Sequence, residues 1–551
     1  MTLNYSVLRL AKHNWRFGGD YRRILQSFRS ARNANGSFVF TGFATGDYSG
    51  GGTQAAPNTG YDLADFLIGM PQQTSLQSGT DSYDFRAKAY DLFVQDDWRL
   101  RSSLTLNIGL RYEYNAPYTE AHNRIVNLDV GPQFAFAHPV QPGQTSPIVG
   151  TFPASLIHPD RNNFAPRLGL AWRPLKQTVI RAGYGINYNL AQYGTVIQNF
   201  AFQPPFATTE TNSVLLPATS NLTLVNGFPG TSPGTVTNNF AIDPNYRLGY
   251  VQIWNLDLQR QLPHGFLLNI GYNGAKGTHL DVARAITAIN AQPFIYESSS
   301  GDSILHALTV RVRKRMSSGL GFSGSYTFSK SIDDASSIGL GGTVVAQDPF
   351  DIAADRSLSS FNQKHKFTGT WMYDLPFGEN HLLFSKGIFS HVFNGWQWSG
   401  SATVGSGFYF TPNVRGGSVD ISRGVSGSQR ADVVVGQSVS LHNPTSLEWF
   451  NTAAFCSPSL DASCVNPSGS AFGDAGRFVI EGPGQFSLNV ALSKTIQFHD
   501  SRSLELRVQA NNVFNIVQFT GLNSTVNSLA FGEVTSAASM RRISMVARFR
   551  F

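Results

Sequence analysis

Apolar and polar side chains alternate along this chain with a period of two, the spacing that places successive side chains on opposite faces of a strand. Between Leu104 and Tyr114, the residues Leu104, Leu106, Ile108, Leu110, Tyr112 and Tyr114 share one face, while Thr105, Asn107, Gly109, Arg111 and Glu113 share the other. Ile180–Tyr188, Leu320–Ser329 and Phe486–Gln497 alternate in the same way. So does the end of the chain, where Ile543, Met545, Ala547, Phe549 and Phe551 oppose Ser544, Val546, Arg548 and Arg550. Roughly 14–16 such segments can be counted, most of them longer than the ~5–6 residues usual for soluble strands.

The segments come in pairs joined by short turns. Val251–Leu262 and Phe266–Ala275 meet across Pro263-His264-Gly265, and Leu305–Met316 and Leu320–Ser329 across Ser317-Ser318-Gly319. Their other ends carry long Gly/Ser/Asn/Pro-rich stretches, at Pro117–Asn163, Leu190–Arg247, Ser331–Lys364 and Thr411–Gly484. Short turns on one side and long loops on the other are the layout of an outer-membrane barrel. Loops of that length are uncommon in soluble sandwiches. One helix is predicted, at Leu63–Met70, packed against a loop or the rim.

Composition supports this reading. Charged residues make up only 14% of the 551, aromatics reach 12% with 41 Phe and 19 Tyr, and Gly numbers 53. Mean hydropathy is −0.14, as expected for half-apolar strands joined by polar loops. No window approaches the ~18 apolar residues of a membrane helix, but a barrel strand needs only ~9–11 with alternating faces. Trp98, Tyr112, Tyr114, Trp172, Trp254, Trp371, Tyr373, Trp396 and Trp398 sit near strand ends, where they would form interfacial girdles. Met1–Gly19 lacks the compact apolar core of a signal peptide. The expectation is a single barrel domain over residues 1–551, incomplete at its N-terminus and without a plug.

Little in the chain points to catalysis. Gly319–Gly324 matches GxGxxG but opens a strand, so no helix N-terminus is offered to a pyrophosphate. Gly230–Gly234 matches GxSxG inside a Pro/Thr/Asn-rich loop, without the strand–turn–helix of a nucleophile elbow. Asp348, Asp351 and Asp355 share a loop in which calcium is conceivable, though their spacing is not that of an EF-hand and solvated carboxylates are the commoner arrangement. Cys456 and Cys464 are disulfide candidates for an oxidising compartment. Arg311, Arg313 and Arg315 fall on the face opposite Leu308, Val310 and Val312, which reads as a lumen-facing basic row rather than a nucleic-acid patch. No catalytic, cofactor-binding or metal-binding residues are expected.

Several stretches resemble the TonB-dependent outer-membrane receptors, specifically their Oar-like barrel type. They include Phe17–Arg22, Ala64–Gly69, Phe93–Trp98, Leu104–Tyr114, Ala165–Gly169, Arg181–Gly185, Lys364–Phe367, Gly482–Gly484, Ala491–Lys494 and Asn511–Asn515, closed by an aromatic C-terminal strand. The resemblance implies an all-β, antiparallel transmembrane barrel of a 22-stranded type, whose lumen is plugged. It implies uptake of an extracellular ligand (carbohydrate, peptide or siderophore), with TonB acting through an N-terminal part that precedes this sequence. It also implies contact with outer-membrane lipid and lipopolysaccharide, and it marks Phe549 and Phe551 as a signal to the barrel-assembly machinery. The alternatives are a structural or adhesive outer-membrane β-protein and a soluble all-β binding protein or sugar-active enzyme.

Overall fold

In the computed structural model, residues 2–10, 12–29, 33–49, 59–80, 82–214, 216–229, 235–286, 293–334, 345–378, 383, 386–414, 430–457, 464, 472–499, 502–526 and 528–551 are described. Fifteen long strands follow one another as an antiparallel meander: β1 (Thr2–Leu10), β2 (His13–Arg29), β3 (Ser82–Arg101), β4 (Leu104–Asn115), β5 (Phe164–Leu175), β6 (Thr178–Tyr188), β7 (Tyr250–Gln261), β8 (Phe266–Ile286), β9 (Phe294–Ser317), β10 (Leu320–Asp333), β11 (His365–Asp374), β12 (Trp396–Gly405), β13 (Gln485–His499), β14 (Arg502–Asn511) and β15 (Arg542–Arg550). Each is hydrogen-bonded to the next. Among the described residues, β1 and β15 each pair with one neighbour and not with one another.

The turns follow from local chemistry. β9 and β10 are joined by Ser318 and Gly319 with φ of 51° and 76°, the positive values that a two-residue type I′ hairpin demands and that glycine tolerates. β7 reaches β8 through Pro263–Gly265. Short connections alternate with long ones along the whole meander, as the sequence predicts. Two exceptions are residues 287–293, between β8 and β9, where a long connection is due and the strands lengthen instead, and residues 375–395, between β11 and β12, where a short one is due and a further helix (Ile388–Phe393) intervenes. The predicted helix near the start is α1 (Asp62–Ile68), closed by Gly69 in the left-handed region at φ 73°. The stretch read from sequence as the loop Leu190–Arg247 contains a second helix, α2 (Gln192–Ala201). β8 and β9 run 21 and 24 residues, against ~9–11 for a membrane crossing. Their distal ends therefore stand beyond the bilayer, where Phe240–Ile242 adds a parallel strand to Ile295–Glu297.

The register fixes the two faces. Across β3 to β8, Leu92 pairs with Tyr112, Leu168 with Ile108, and Leu256 with Tyr272. These side chains lie on the outward face, where Leu92 is 60% exposed and Leu256 52%. The inward face is polar: Asn269 pairs with Arg311, Arg311 with Ser325, Ser325 with Thr368, and Thr368 with Thr403. A contiguous exposed apolar surface of this extent is costly in water and favourable in lipid.

Two aromatic belts bound that surface. Trp98, Trp172, Trp371, Tyr373, Trp396 and Trp398 sit toward the short-turn ends of their strands, and Tyr112, Tyr114 and Trp254 toward the loop ends. The Trp254 ring lies where a Cβ on Gly274 would be, and the Trp371 ring where one on Gly400 would be. Glycine lets each indole lie flat on its neighbouring strand. From Trp98 to Tyr90 is eight residues along β3, about 26 Å, comparable to the ~25 Å apolar band of such barrels.

Alternation changes polarity toward the loop end. In β3 the outward residues are Leu92 and Val94 in the lower half but Asp84, Arg86 and Lys88 in the upper half. The inward residues change in the opposite sense, from Asp91 and Gln95 to Tyr83, Phe85 and Ala87, which are fully or almost fully buried. β2 does the same. Phe17 and Tyr21 outward give way to Arg23 and Ser27, with Leu25 between them the apolar exception, and Arg16 and Asp20 inward give way to Ile24 and Phe28.

Candidate functional site

The lumen and the loops at its mouth are the places where a ligand could be held. At mid-height, the inward faces of β2, β3 and β4 carry a chain of ion pairs. Arg22 Nε lies 3.1 Å from Asp20, Arg22 Nη2 lies 2.8 Å from Asp91, and Arg111 Nη2 lies 3.3 Å from the same Asp91 oxygen. Arg111 Nε then reaches Glu113 at 2.6 Å. Asp91 and Glu113 are buried, and each buried carboxylate needs a cationic partner of this kind. Lower down, Arg16 and Asp97 pair at 3.2 Å. Farther along the sheet, inward glycines make room for polar side chains of β7. A Cβ on Gly183 would meet Asn255 Oδ1 at 2.6 Å, and one on Gly271 would meet Asp257 Oδ1 at 2.4 Å.

Above this network, loops 116–163 and 189–249 fold into a cap. Its core joins the inward aromatic residues Tyr83 and Phe85 of β3 to Ile125, Phe152 and Leu156, to Tyr193, Val196, Ile197 and Phe200 of α2, and to Ile242 and Tyr246. Buried amides tie the loops together. Asn127 Nδ2 donates to the Ile242 carbonyl at 2.9 Å while its Oδ1 accepts from Ile242 N at 2.9 Å. Gln192, at the start of α2, accepts from Gly249 N at 2.6 Å and donates to Tyr246 Oη at 2.7 Å; both Gln192 and Tyr246 also bond Asp281 at the top of β8. Glu297, on the extramembrane end of β9, is buried beside them. Burial, reinforced by the negative charge of Asp281, pushes its carboxyl up to about 8.

A second loop core gathers Val414, Ala431, Phe450, Phe455, Ile480 and Leu522. Two buried ion pairs hold it to its surroundings, Arg430 with Asp355 of the loop following β10, and Arg477 with Asp333 at the end of β10 at 2.8 Å. Cys456 and Cys464 form a disulfide here, as suits an oxidising compartment.

The three aspartates weighed for calcium do separate work. Asp355 receives Arg430 and the Gln347 N–H, Asp351 caps the turn at Ile352–Asp355, and Asp348 accepts from Phe350 N. Among the described residues no group of three His, Cys, Asp or Glu side chains could hold a metal ion. Arg311 and Arg313 extend from β9 on the inward face, paired in register with Asn269 and Leu267 of β8 and with Ser325 and Ser323 of β10. Arg315 follows them next to an irregularity in the β9–β10 register. Gly319–Gly324 forms a turn and the start of β10, and Gly230–Gly234 lies outside the described residues. Phe549 is on β15, stacked with Phe551 at the end of the chain. The cap escaped sequence reading because its apolar residues are scattered over loops and strands. Its one available local signal was Val196, Ile197, Phe200 and Ala201 at helical spacing.

The outer membrane β-barrel domain family matches residues 3–544. Among solved structures, all of this chain aligns with 53% of the outer membrane transporter YddB from Escherichia coli, at 11% identity and a TM-score of 0.53. It aligns with 55% of the siderophore receptor PiuA from Acinetobacter baumannii at 10% identity and a TM-score of 0.46. For the ferric-catecholate import receptor Fiu from Escherichia coli K12 the values are 53%, 12% and 0.43. The chain thus spans about half the length of these structures. No curated protein matches it. The family match, the antiparallel meander and its outward apolar band bounded by aromatic belts agree, and the chain belongs to the outer membrane β-barrel domain family, its strands crossing the outer membrane.

Proposed function

We propose that this chain is the barrel of an outer-membrane receptor and transporter that takes up an extracellular ligand with energy supplied through TonB. The observation that carries the reading is the inward face of the sheet. An inward face carrying Arg, Asn, Ser and Thr meets, at its loop end, a packed core of loop residues built on the inward Tyr83 and Phe85. The fold likeness to the transporter YddB points the same way.

In this reading, ligand is recognised at the loops and passes the Arg22–Asp91–Arg111–Glu113 network. A plug in the lumen moves when TonB pulls on it. The ligand class is a siderophore, carbohydrate or peptide. Phe549 and Phe551 serve as the terminal signal to the barrel-assembly machinery, and outer-membrane lipid surrounds the apolar band.

The test is uptake in the native host. Energy-dependent accumulation of labelled ferric siderophores, oligosaccharides and oligopeptides is compared between wild type, a deletion of this gene and a deletion of tonB. The reading expects one ligand class to be lost to the same extent in both deletions. Unchanged accumulation of all three classes in the gene deletion overturns it.

A further inference from the structure

Transport as described leaves the basic row of β9 without a task. Arg311 and Arg313 stand on the inward face, and Arg315 follows them at the short-turn rim. All three are exposed. Among the described residues no ion pair, hydrogen bond or ring contact engages their guanidinium groups. On β2–β4 the inward cations are answered by carboxylates, Arg16 by Asp97, Arg22 by Asp20 and Asp91, and Arg111 by Asp91 and Glu113. Around the β9 row the register places hydroxyls and amides instead: Asn269 of β8, Ser323 and Ser325 of β10, and Thr368 and Thr370 of β11. The inward carboxylate of β7, Asp257, lies two strands away, in register with Gly271 and through it Thr309, and takes a hydrogen bond from Asn255 Nδ2 at 2.9 Å.

Like charges in line repel one another, so the fold gains nothing from three unanswered arginines on one strand. An anion laid along them removes the repulsion. Guanidinium groups match carboxylates fork to fork. Side chains two residues apart on a strand repeat at about 7 Å. Carboxylates on alternate residues of an extended peptide repeat at that same distance, because such a peptide is itself a strand. Laid along β9, it presents one carboxylate to each arginine, and the flanking hydroxyls and amides are placed for its backbone groups.

We infer that β9 carries a track for an extended peptide with acidic residues at alternate positions, Arg311, Arg313 and Arg315 each taking one carboxylate. The inference rests on the uptake reading above and narrows its ligand to the peptide class.

The experiment is fluorescence anisotropy on the full chain purified from outer membranes in detergent. The probes are dye-labelled Glu-Ala-Glu-Ala-Glu, Glu-Glu-Glu-Ala-Ala and Gln-Ala-Gln-Ala-Gln. The alternating acidic peptide should bind most tightly, the adjacent acidic peptide several-fold more weakly, and the Gln peptide not measurably. Each of Arg311→Gln, Arg313→Gln and Arg315→Gln should weaken the alternating peptide about threefold, with the heat-modifiable folded band unchanged. Lys314→Gln removes a cation from the outward face of the same strand and should leave binding as it was. The spacing comparison is made on the wild type, so it stands where a variant fails to fold. Equal affinity for the alternating and adjacent acidic peptides overturns the proposal, and so does a triple Gln variant that binds the alternating peptide like the wild type. Binding in detergent needs no TonB. Spacing-dependent binding with peptide accumulation unchanged in the gene deletion therefore overturns the uptake reading and not the track, whereas accumulation lost in that deletion without such binding overturns the track alone.

Discussion

The lower and upper halves of β3 follow the same alternation with opposite polarity. Below Tyr90, apolar Leu92 and Val94 face out and polar Asp91 and Gln95 face in; the exceptions are Phe93 inward and, outward near the short-turn end, Asp96, which is paired with His13 at 2.6 Å. Above it, Arg86 and Lys88 face out and Tyr83, Phe85 and Ala87 face in. The backbone register to β2 is unbroken from Trp15 to Arg29, so no bulge has swapped the faces. What changes is the medium on each side. The lower half has lipid outside and a polar lumen inside, and the upper half has water outside and a packed cap inside. The inversion therefore marks the edge of the bilayer on the protein itself.

The sharpest way to break this comparison is within the upper half. Phe85→Ala removes a fully buried ring from the cap core and should cost about 3–5 kcal/mol. Limited proteolysis should then show loops 116–163 and 189–249 cut faster while the strands stay protected. In the lower half, Leu92→Arg places a charge on the lipid face and should cost about 2–4 kcal/mol. Urea unfolding in lipid vesicles measures it.

Glu297 probes the cap at its outer edge. Its carboxyl is raised in the folded state, so the protonated form is the one the fold favours. The cap is then fully stable at pH below the ordinary carboxylate range and loses stability as pH rises through about 8. Amide exchange of residues 192–201 should be slower at pH 5 than at pH 8.5 after correction for the intrinsic rate. Glu297→Gln should flatten that difference. The smallest effect is expected outside the bilayer edge, where Lys88→Leu should shift unfolding by less than ~0.5 kcal/mol because neither medium penalises it strongly.

The strands were legible because a half-buried strand writes its faces into neighbouring residues. Leu104–Tyr114 reads as β4 almost residue for residue, and the turns at Pro263–Gly265 and Ser318-Gly319 carry their own chemistry. The cap was not legible. Tyr83, Phe152, Phe200 and Tyr246 meet only after four segments far apart in sequence have come together, and no local pattern announces such a meeting. The polarity inversion in β2 and β3 was written in the sequence. It is invisible to any reading that asks only whether residues alternate and not which kind faces which way. The upward extension of β8 and β9 was hidden for a related reason, since Lys276 and Asp302, paired at 2.8 Å, end the apolar alternation while the hydrogen-bonded ladder continues.

The most direct test of this account is a spin-label accessibility scan of β3 from Tyr83 to Gln95 in outer-membrane lipid. The account predicts that labels at 92 and 94 collide with oxygen and not with a water-soluble nickel complex, that labels at 86 and 88 do the reverse, and that labels at 83 and 85 are shielded from both. A single unbroken period-two pattern along the whole strand, with 86 and 88 as lipid-exposed as 92 and 94 or with all four water-exposed, would contradict it.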